Sequence, residues 1–326
     1  MESPQHIHTE LSEAIARTCD AAARVTANVE QVIIGKREVV ELVLVALLCE
    51  GHILMEDVPG MGKTLLSKAV ARSLDGSFKR VQFTSDLLPS DVTGLNYFNP
   101  KSGEFQFQPG PIMANVVLAD EINRATPRTQ ACLLEAMQER QVTVDGETRD
   151  LPRPFIVLAT QNPVEQAGTF PLPEAQLDRF LVRIHQGYPS FEAENQIITR
   201  FRHGNPLETL EPVLSGRDLL AMKKACRDVY VEDSLREYIV RIIRATRTKE
   251  SIRLGASPRA TQALYAAVQV RAALNGRDFV IPDDIKYLAS PVLAHRLVLK
   301  PEAGLRGQTK EDMVNHIVQE IDVPVV

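Results

Sequence analysis

Read by apolar spacing alone, the chain opens in helices, passes through alternating strands and helices, and closes in helices only. "ELSEAIARTCDAAARVTANVEQV" is rich in Ala and sets Leu11, Ile15 and Ala22 among its apolar positions at helical spacing. Gly35 in "VIIGK" breaks that run, and "REVVELVLVALLCEG" predicts a second, buried helix ending near Gly51. "HILMED" predicts a short strand, and "KTLLSKAVARSL" a helix directly after the loop that follows it. "KRVQFTS" is the next strand candidate, and the loop-rich "DLLPSDVTGLNYFNPKSGEFQFQPGPI" predicts a short hairpin and helix projecting from the core. "ANVVLADE" is apolar until two acids end it, as in a buried strand. Thr126 as N-cap and Pro127 at the first position start a helix over "TPRTQACLLEAMQER". Alternation around Asp145-Gly146 in "QVTVDGETRDL" predicts a hairpin with a two-residue turn. "PFIVLATQNP" is another buried strand with a polar tip, and "LPEAQLDRF" is a short helix leading to "LVRIHQGYP".

Strands separated by helices imply an α/β fold, a parallel sheet with helices on both faces. After about residue 190 the strand signal stops. "DLLAMKKACRDV", "DSLREYIVRIIRATR", "SPRATQALYAAVQVRAAL" and "PDDIKYLASPVLAHRL" all read as helices. The expected organisation is an N-terminal helix over 1–30, an αβα core over 31–190, a linker over 191–212 and an all-helical domain over 213–326. No internal repeat interrupts it.

Composition narrows the classes. A chain of 326 residues, 44% hydrophobic and 24% charged, suits two domains with a sizeable core. A net charge of −5 makes no electrostatic case for nucleic acid or membrane as main partner. The longest apolar stretch, "VVELVLVALLCEGHILM", is broken by Glu41 and Glu50 and is not a membrane span. "MESPQHIHTE" lacks the basic region and apolar core of a signal peptide. The four cysteines form no C-x-x-C pair, so neither zinc nor a disulfide framework is expected, and a reducing cytoplasm is. His6 and His8 make an H-x-H without a third ligand nearby, too few for a closed metal site.

The chemistry starts at "MEDVPGMGKT". It ends like the phosphate-binding loop G-x-x-x-x-G-K-[ST], but Asp57 stands where that loop carries its first Gly. The loop lies between a strand and a helix, the context its chemistry needs. Gly60 and Gly62 allow the backbone to curl close to phosphate, Lys63 can reach the β- and γ-phosphates, and Thr64 can offer a hydroxyl to Mg²⁺. A carboxylate at Asp57 must point away from phosphate or repel it. Asp120 and Glu121 end a buried strand, at the edge where ligands of parallel sheets bind. An Asp there can hold a Mg²⁺ shell, and a neighbouring Glu can orient or activate water. Asn162 ends the next buried strand, where it can align a water or simply cap the turn before Pro163. Arg259 follows Ser257 and Pro258 in a first helical turn, where a cation opposes the helix dipole unless an anion faces it. Arg179 sits at a helix end just before a strand.

These motifs resemble the AAA+ ATPases and specifically the MoxR family. The match lies in "LMEDVPGMGKTLL", "QFTSDLLPSDVTG", "VVLADEINRATPRTQACLLEAMQERQVTVDG", "VLATQNPVEQAGTFPLPEAQLDRF" and "GASPRA", in family order over most of residues 30 to 270. Members often carry "EDVPG" or "EGVPG" at the loop, so Asp57 is a tolerated variation. The resemblance implies an AAA+ core with a helical lid, ATP and Mg²⁺ as ligands, and the following roles. Pro59, Gly60, Met61, Gly62, Lys63, Thr64 and Leu65 look like Walker A. Asp120 and Glu121 look like Walker B, with Thr64 and Asp120 toward the metal and Glu121 the base for water. Asn162 is similar to sensor 1, Arg259 to sensor 2, and Arg179 to the arginine finger that reaches a neighbouring subunit's nucleotide. Ile34 and Gly35 resemble the segment beside the adenine. The stretch from Asp86 to about Met113 looks like the helix-2 insert, and "QVTVDGETRDL" like the pre-sensor hairpin.

A hexameric ring, a chaperone or remodelling role on a protein substrate, and a partner with a von Willebrand factor A domain are what the family implies. Two other readings compete. A nucleic-acid motor of the same clade would need clustered Lys or Arg on the insert and hairpin, which these segments lack. A non-hydrolytic ATP-binding switch could lose Glu121 and Arg179 without cost, yet both are present.

Overall fold

Strands that read as continuous apolar runs become central strands, because a parallel sheet covered by helices is dry on both faces. The computed structural model describes residues 4–57, 60–162, 168–202 and 204–324, with side chains from residue 10 onward. In chain order, α1 (Pro4–Glu30) and α2 (Arg37–Leu48) precede β1 (Ile53–Glu56) and α3 (Lys63–Ser73). Then come β2 (Phe78–Gln82), α4 (Pro89–Thr93), the antiparallel pair β3 (Gly94–Asn99) and β4 (Glu104–Pro109), and β5 (Val116–Asp120). Helix α5 (Pro127–Glu139), the pair β6 (Gln141–Val144) and β7 (Glu147–Asp150), β8 (Ile156–Gln161), α6 (Glu174–Leu177) and β9 (Val182–Ile184) follow. The remainder is α7 (Phe191–Phe201), α8 (Gly216–Arg227), α9 (Asp233–Thr248), β10 (Ile252–Leu254), α10 (Pro258–Leu274), α11 (Pro282–Leu293), β11 (Val298–Leu299), α12 (Pro301–Leu305) and α13 (Lys310–Glu320).

The sheet order is β2-β5-β8-β1-β9, every neighbouring pair parallel. Alternate residues of each strand serve opposite faces. Ile53, Met55, Val116, Leu118, Ile156 and Leu158 join one core cluster with α2, α3 and the C-terminal helices. Leu54, Val117, Ala119, Val157 and Ala159 join a second cluster built on Leu133, Leu134 and Met137 of α5. Helix α2 is apolar nearly all round and is buried accordingly. Helix α1 is not an appendage. Its Ile15, Ala22, Val25 and Val29 lie in the first cluster, and it packs on α3, α8 and α10.

The predicted insert is present as α4 and the β3–β4 hairpin. The β6–β7 turn has φ of 51° at Asp145 and 85° at Gly146, the left-handed pair that a two-residue hairpin turn demands. Two features differ from the expectation. The segment expected as a linker begins with α7, whose N-cap Ser190 accepts the Ala193 N–H at 3.2 Å, with Glu192 and Glu194 in the first turn. Strands do not end near residue 190: β10 and β11 pair antiparallel within the helical region. At three and two residues they are too short to display alternation. No helix among the described residues is long and apolar enough to cross a membrane.

Candidate active site

The loop after β1 turns on two glycines, Gly60 with φ of +85° and Gly62 with φ of +80°. Open space surrounds both positions, so the left-handed backbone, not crowding, demands glycine there. Gly62 caps α3, whose first residue is Lys63. The N-terminal end of that helix carries the positive partial charge of its unsatisfied N–H groups, the usual seat of a phosphate. The Lys63 ammonium donates to the Asp57 carbonyl at 2.6 Å. Burial pushes its pKa below the ordinary lysine range, and Asp57, Asp120 and Glu121 pull partly the other way.

The Asp57 carboxylate accepts the backbone N–H of Gln186 at 2.7 Å and of Gly187 at 3.2 Å. It therefore faces the connection after β9 rather than the loop interior. Lys36 holds the same connection from its other side, donating to the carbonyls of Gln186, Gly187 and Tyr188.

At the end of β5, one hydroxyl organises both acids. Thr160, 1% exposed on β8, donates to Asp120 Oδ1 at 2.6 Å and accepts the Glu121 N–H at 2.8 Å. Glu121 itself is left-handed, φ 56° and ψ 49°, at the point where the strand stops. Its Oε2 accepts from Gln82 Nε2 at 2.9 Å and pairs with Arg124 at 3.2 Å. The other Asp120 oxygen pairs with Arg80 of β2 at 2.6 Å.

These groups line one open cleft of about 420 Å³ at the carboxyl edge of the sheet. Of the residues predicted from sequence, Gly60, Met61, Gly62, Lys63, Thr64, Leu65, Asp120, Glu121 and Asn162 all contribute to its lining. Asp57, Arg80 and Thr160 line it as well. Pro59 lies outside the described residues, as do Pro163 and the side chains of His6 and His8. The remaining predicted residues are not in this lining. Ile34 is buried, and a Cβ on Gly35 would stand 3.2 Å from the Ala193 Cβ, so this segment packs under α7. Arg179 donates to the Leu134 carbonyl of α5 at 2.8 Å. Arg259 is exposed in the first turn of α10, whose N-cap Ser257 accepts the Ala260 N–H at 3.3 Å.

The donor set fits a metal–nucleotide complex. Left-handed glycines, a lysine and a helix N-terminus suit phosphate. The Thr64 hydroxyl and the Asp120 carboxylate are hard oxygen donors of the kind Mg²⁺ prefers. Sequence reasoning missed Thr160, Arg80 and Gln82. Their signal is visible only once register is known: Gln82 pairs with Asp120, and Ala119 pairs with Ala159, which sets Thr160 beside Asp120.

Comparison with known proteins identifies relatives of the chain as a whole. The family model described as "ATPase family associated with various cellular activities (AAA)" matches residues 52–182, and an AAA lid domain model matches residues 244–317. An uncharacterised protein of Bacillus subtilis, YeaC, is 52% identical over 298 residues, covering 91% of this chain and 93% of its own. The chaperone MoxR1 of Mycobacterium tuberculosis is 42% identical over 324 residues, covering 97% of this chain and 85% of its own. A crystal structure of a candidate ATPase from Cytophaga hutchinsonii superposes with a TM-score of 0.90 at 36% identity, covering 99% of this chain and all of that one.

Proposed function

Since this chain belongs to the MoxR family of AAA+ ATPases, we propose that it hydrolyses ATP in a ring of identical copies and uses the turnover to remodel a protein partner. The observation that carries the proposal is the meeting of Lys63, Thr64, Asp120, Glu121 and Asn162, from three separate strand ends, in one cleft. Phosphoryl transfer needs positioning and charge neutralisation more than covalent chemistry, and this is a positioning site.

In this reading the loop backbone and Lys63 bind the phosphates of ATP. Thr64 and Asp120 would hold Mg²⁺, which when bound neutralises phosphate charge. Thr160 orients Asp120 and the backbone of Glu121 together. Glu121 takes the proton of the attacking water, and Asn162 aligns that water. Gln82 and Arg124 both hold the Glu121 carboxylate at Oε2, which fixes its orientation. Arg259 reaches the same nucleotide from the lid, and Arg179 that of a neighbouring copy. The contact of Arg179 with α5, outside its own cleft, supports a role in trans.

The proposed assembly is a hexamer, and the proposed client is a protein, presented by or acting with a partner bearing a von Willebrand factor A domain. The β3–β4 hairpin favours a protein client over nucleic acid. It exposes Phe98 and Phe105, packed edge to face at 5.5 Å, and Lys101 is its one basic residue.

The test is a Mg²⁺-dependent ATPase assay on the full chain. Lys63→Ala should abolish binding or turnover. Arg179→Ala should bind ATP and lose turnover by roughly 10³-fold or more. Mixing the two should restore part of the activity, because each supplies what the other lacks. Absence of affinity for ATP and ADP in the presence of Mg²⁺ would overturn the proposal. Pull-down with Glu121→Gln and ATP identifies the client.

A further inference from the structure

Asp178 immediately precedes Arg179, and the C-terminal helical region grips the turn that carries both. Arg296 ends the short 3₁₀ turn Ala294–Arg296, with its side chain 2% exposed. It donates to the Asp178 carboxylate at 2.5 Å, to the Asp178 carbonyl at 3.1 Å and to the Phe180 carbonyl at 2.7 Å. His295 Nε2 meets the same Phe180 carbonyl at 3.0 Å. On the other side, the Ser257 hydroxyl donates to the second Asp178 oxygen at 2.9 Å. Ser257 is also the N-cap of α10, the helix with Arg259 in its first turn.

One carboxylate thus ties the residue beside Arg179 to the cap of the helix bearing Arg259. A guanidinium this buried is held only by complete pairing, so the turn and the lid cannot shift independently without stranding a charge. The cap of α10 meets the turn through the Ser257–Asp178 bond, and the 3₁₀ turn after α11 meets it through Arg296 and His295.

We propose that Asp178 and Arg296 are positioning residues that make the reach of Arg179 toward a neighbouring copy depend on how the α10 end of the lid is seated. This rests on the reading of Arg179 as a group acting in trans. Nucleotide seated against Arg259 in one copy would then set the finger that serves the next, giving a ring a mechanical link between consecutive sites.

The test uses Asp178→Asn, which keeps shape and an acceptor for Ser257 but removes the charge opposite Arg296. Arg296→Lys, which keeps the cation but loses the fork to Phe180, is the second variant, and a thermal melt checks folding of each. Affinity for a fluorescent ATP analogue should stay within about twofold while turnover falls roughly tenfold or more, the scale of a misplaced catalytic group. Each variant is then mixed with Glu121→Gln, which has an intact finger and an inert site. Recovery of turnover by both variants, alongside recovery by Arg179→Ala in the same mixture, supports the proposal. Recovery by Arg179→Ala alone overturns the proposal and leaves the trans reading standing. Recovery by none of them removes both. Unchanged turnover in the two variants, or loss of affinity with turnover per bound nucleotide retained, also overturns it.

Discussion

The carboxylate of Asp57 is bonded to the backbone N–H of Gln186 at 2.7 Å, although Asp57 belongs to the phosphate loop and Gln186 to the connection beyond the edge strand β9. The acid that departs from the usual loop pattern is therefore used as a tether. Its carbonyl meanwhile accepts from Lys63, so one residue links the loop lysine to the connection that leads into α7.

Asp57→Ala should consequently damage stability more than binding. It leaves two N–H groups without an acceptor, one of them buried, at a cost of about 1–3 kcal/mol. Affinity for ATP should change by no more than about tenfold, equivalent to about 1.4 kcal/mol. Urea unfolding and a nucleotide titration measure the two effects. A large loss of affinity with unchanged stability would contradict the tether.

Thr160→Val should lower turnover more than Asp57→Ala does, with a loss of stability of similar size from the orphaned Glu121 N–H. The substitution is nearly isosteric, but it removes the donor to Asp120 and the acceptor for the Glu121 N–H. Turnover should fall on the order of 10²-fold, as for other losses of fine positioning. Steady-state kinetics over a range of Mg²⁺ checks it, and wild-type turnover would show that the hydroxyl is dispensable.

Arg80 pairs with Asp120 Oδ2, so under the proposed function it would compete with Mg²⁺ for that carboxylate. Its side chain is 47% exposed, so the pair contributes little to folding. Arg80→Ala should leave the melting temperature nearly unchanged and lower the Mg²⁺ needed for half-maximal turnover by roughly two- to fivefold, the range of a screened ion pair. A higher Mg²⁺ requirement would instead assign Arg80 to phosphate binding.

Acid should destabilise the fold through His52. The ring is buried, accepts the Val157 N–H on Nδ1 and faces the Met137 carbonyl with Nε2, which suits one neutral tautomer. Burial lowers its pKa from 6.5 to about 4. The unfolded chain takes up the proton first, so this contribution is complete above about pH 6.5 and is lost as pH falls toward 4. By pH 5 the loss from His52 alone is about 2 kcal/mol. His295, also buried and shifted down, adds in the same direction. Denaturant melts at pH 7 and pH 5 give the difference, and His52→Gln should reduce it.

Local chemistry determined much of this protein in advance. Apolar runs ended by acids, a Gly-rich turn before an amphipathic helix, and Ser-Pro at a helix start are short-range signals, and they yielded the parallel sheet, the helical lid, and the loop and strand-end residues of the cleft. Tertiary structure decided the rest. Strand register set Thr160 beside Asp120 and Gln82 within reach of Glu121, and no single segment encodes register. Packing across more than 100 residues joined Asp57 to Gln186 and Asp178 to Arg296. β10 and β11 exist because each supplies the other's hydrogen bonds, so their pairing has no counterpart in local sequence. A residue's type and immediate neighbours state what it can do. What it is held against depends on chain closure, which burial of the two hydrophobic clusters drives and which local spacing does not contain.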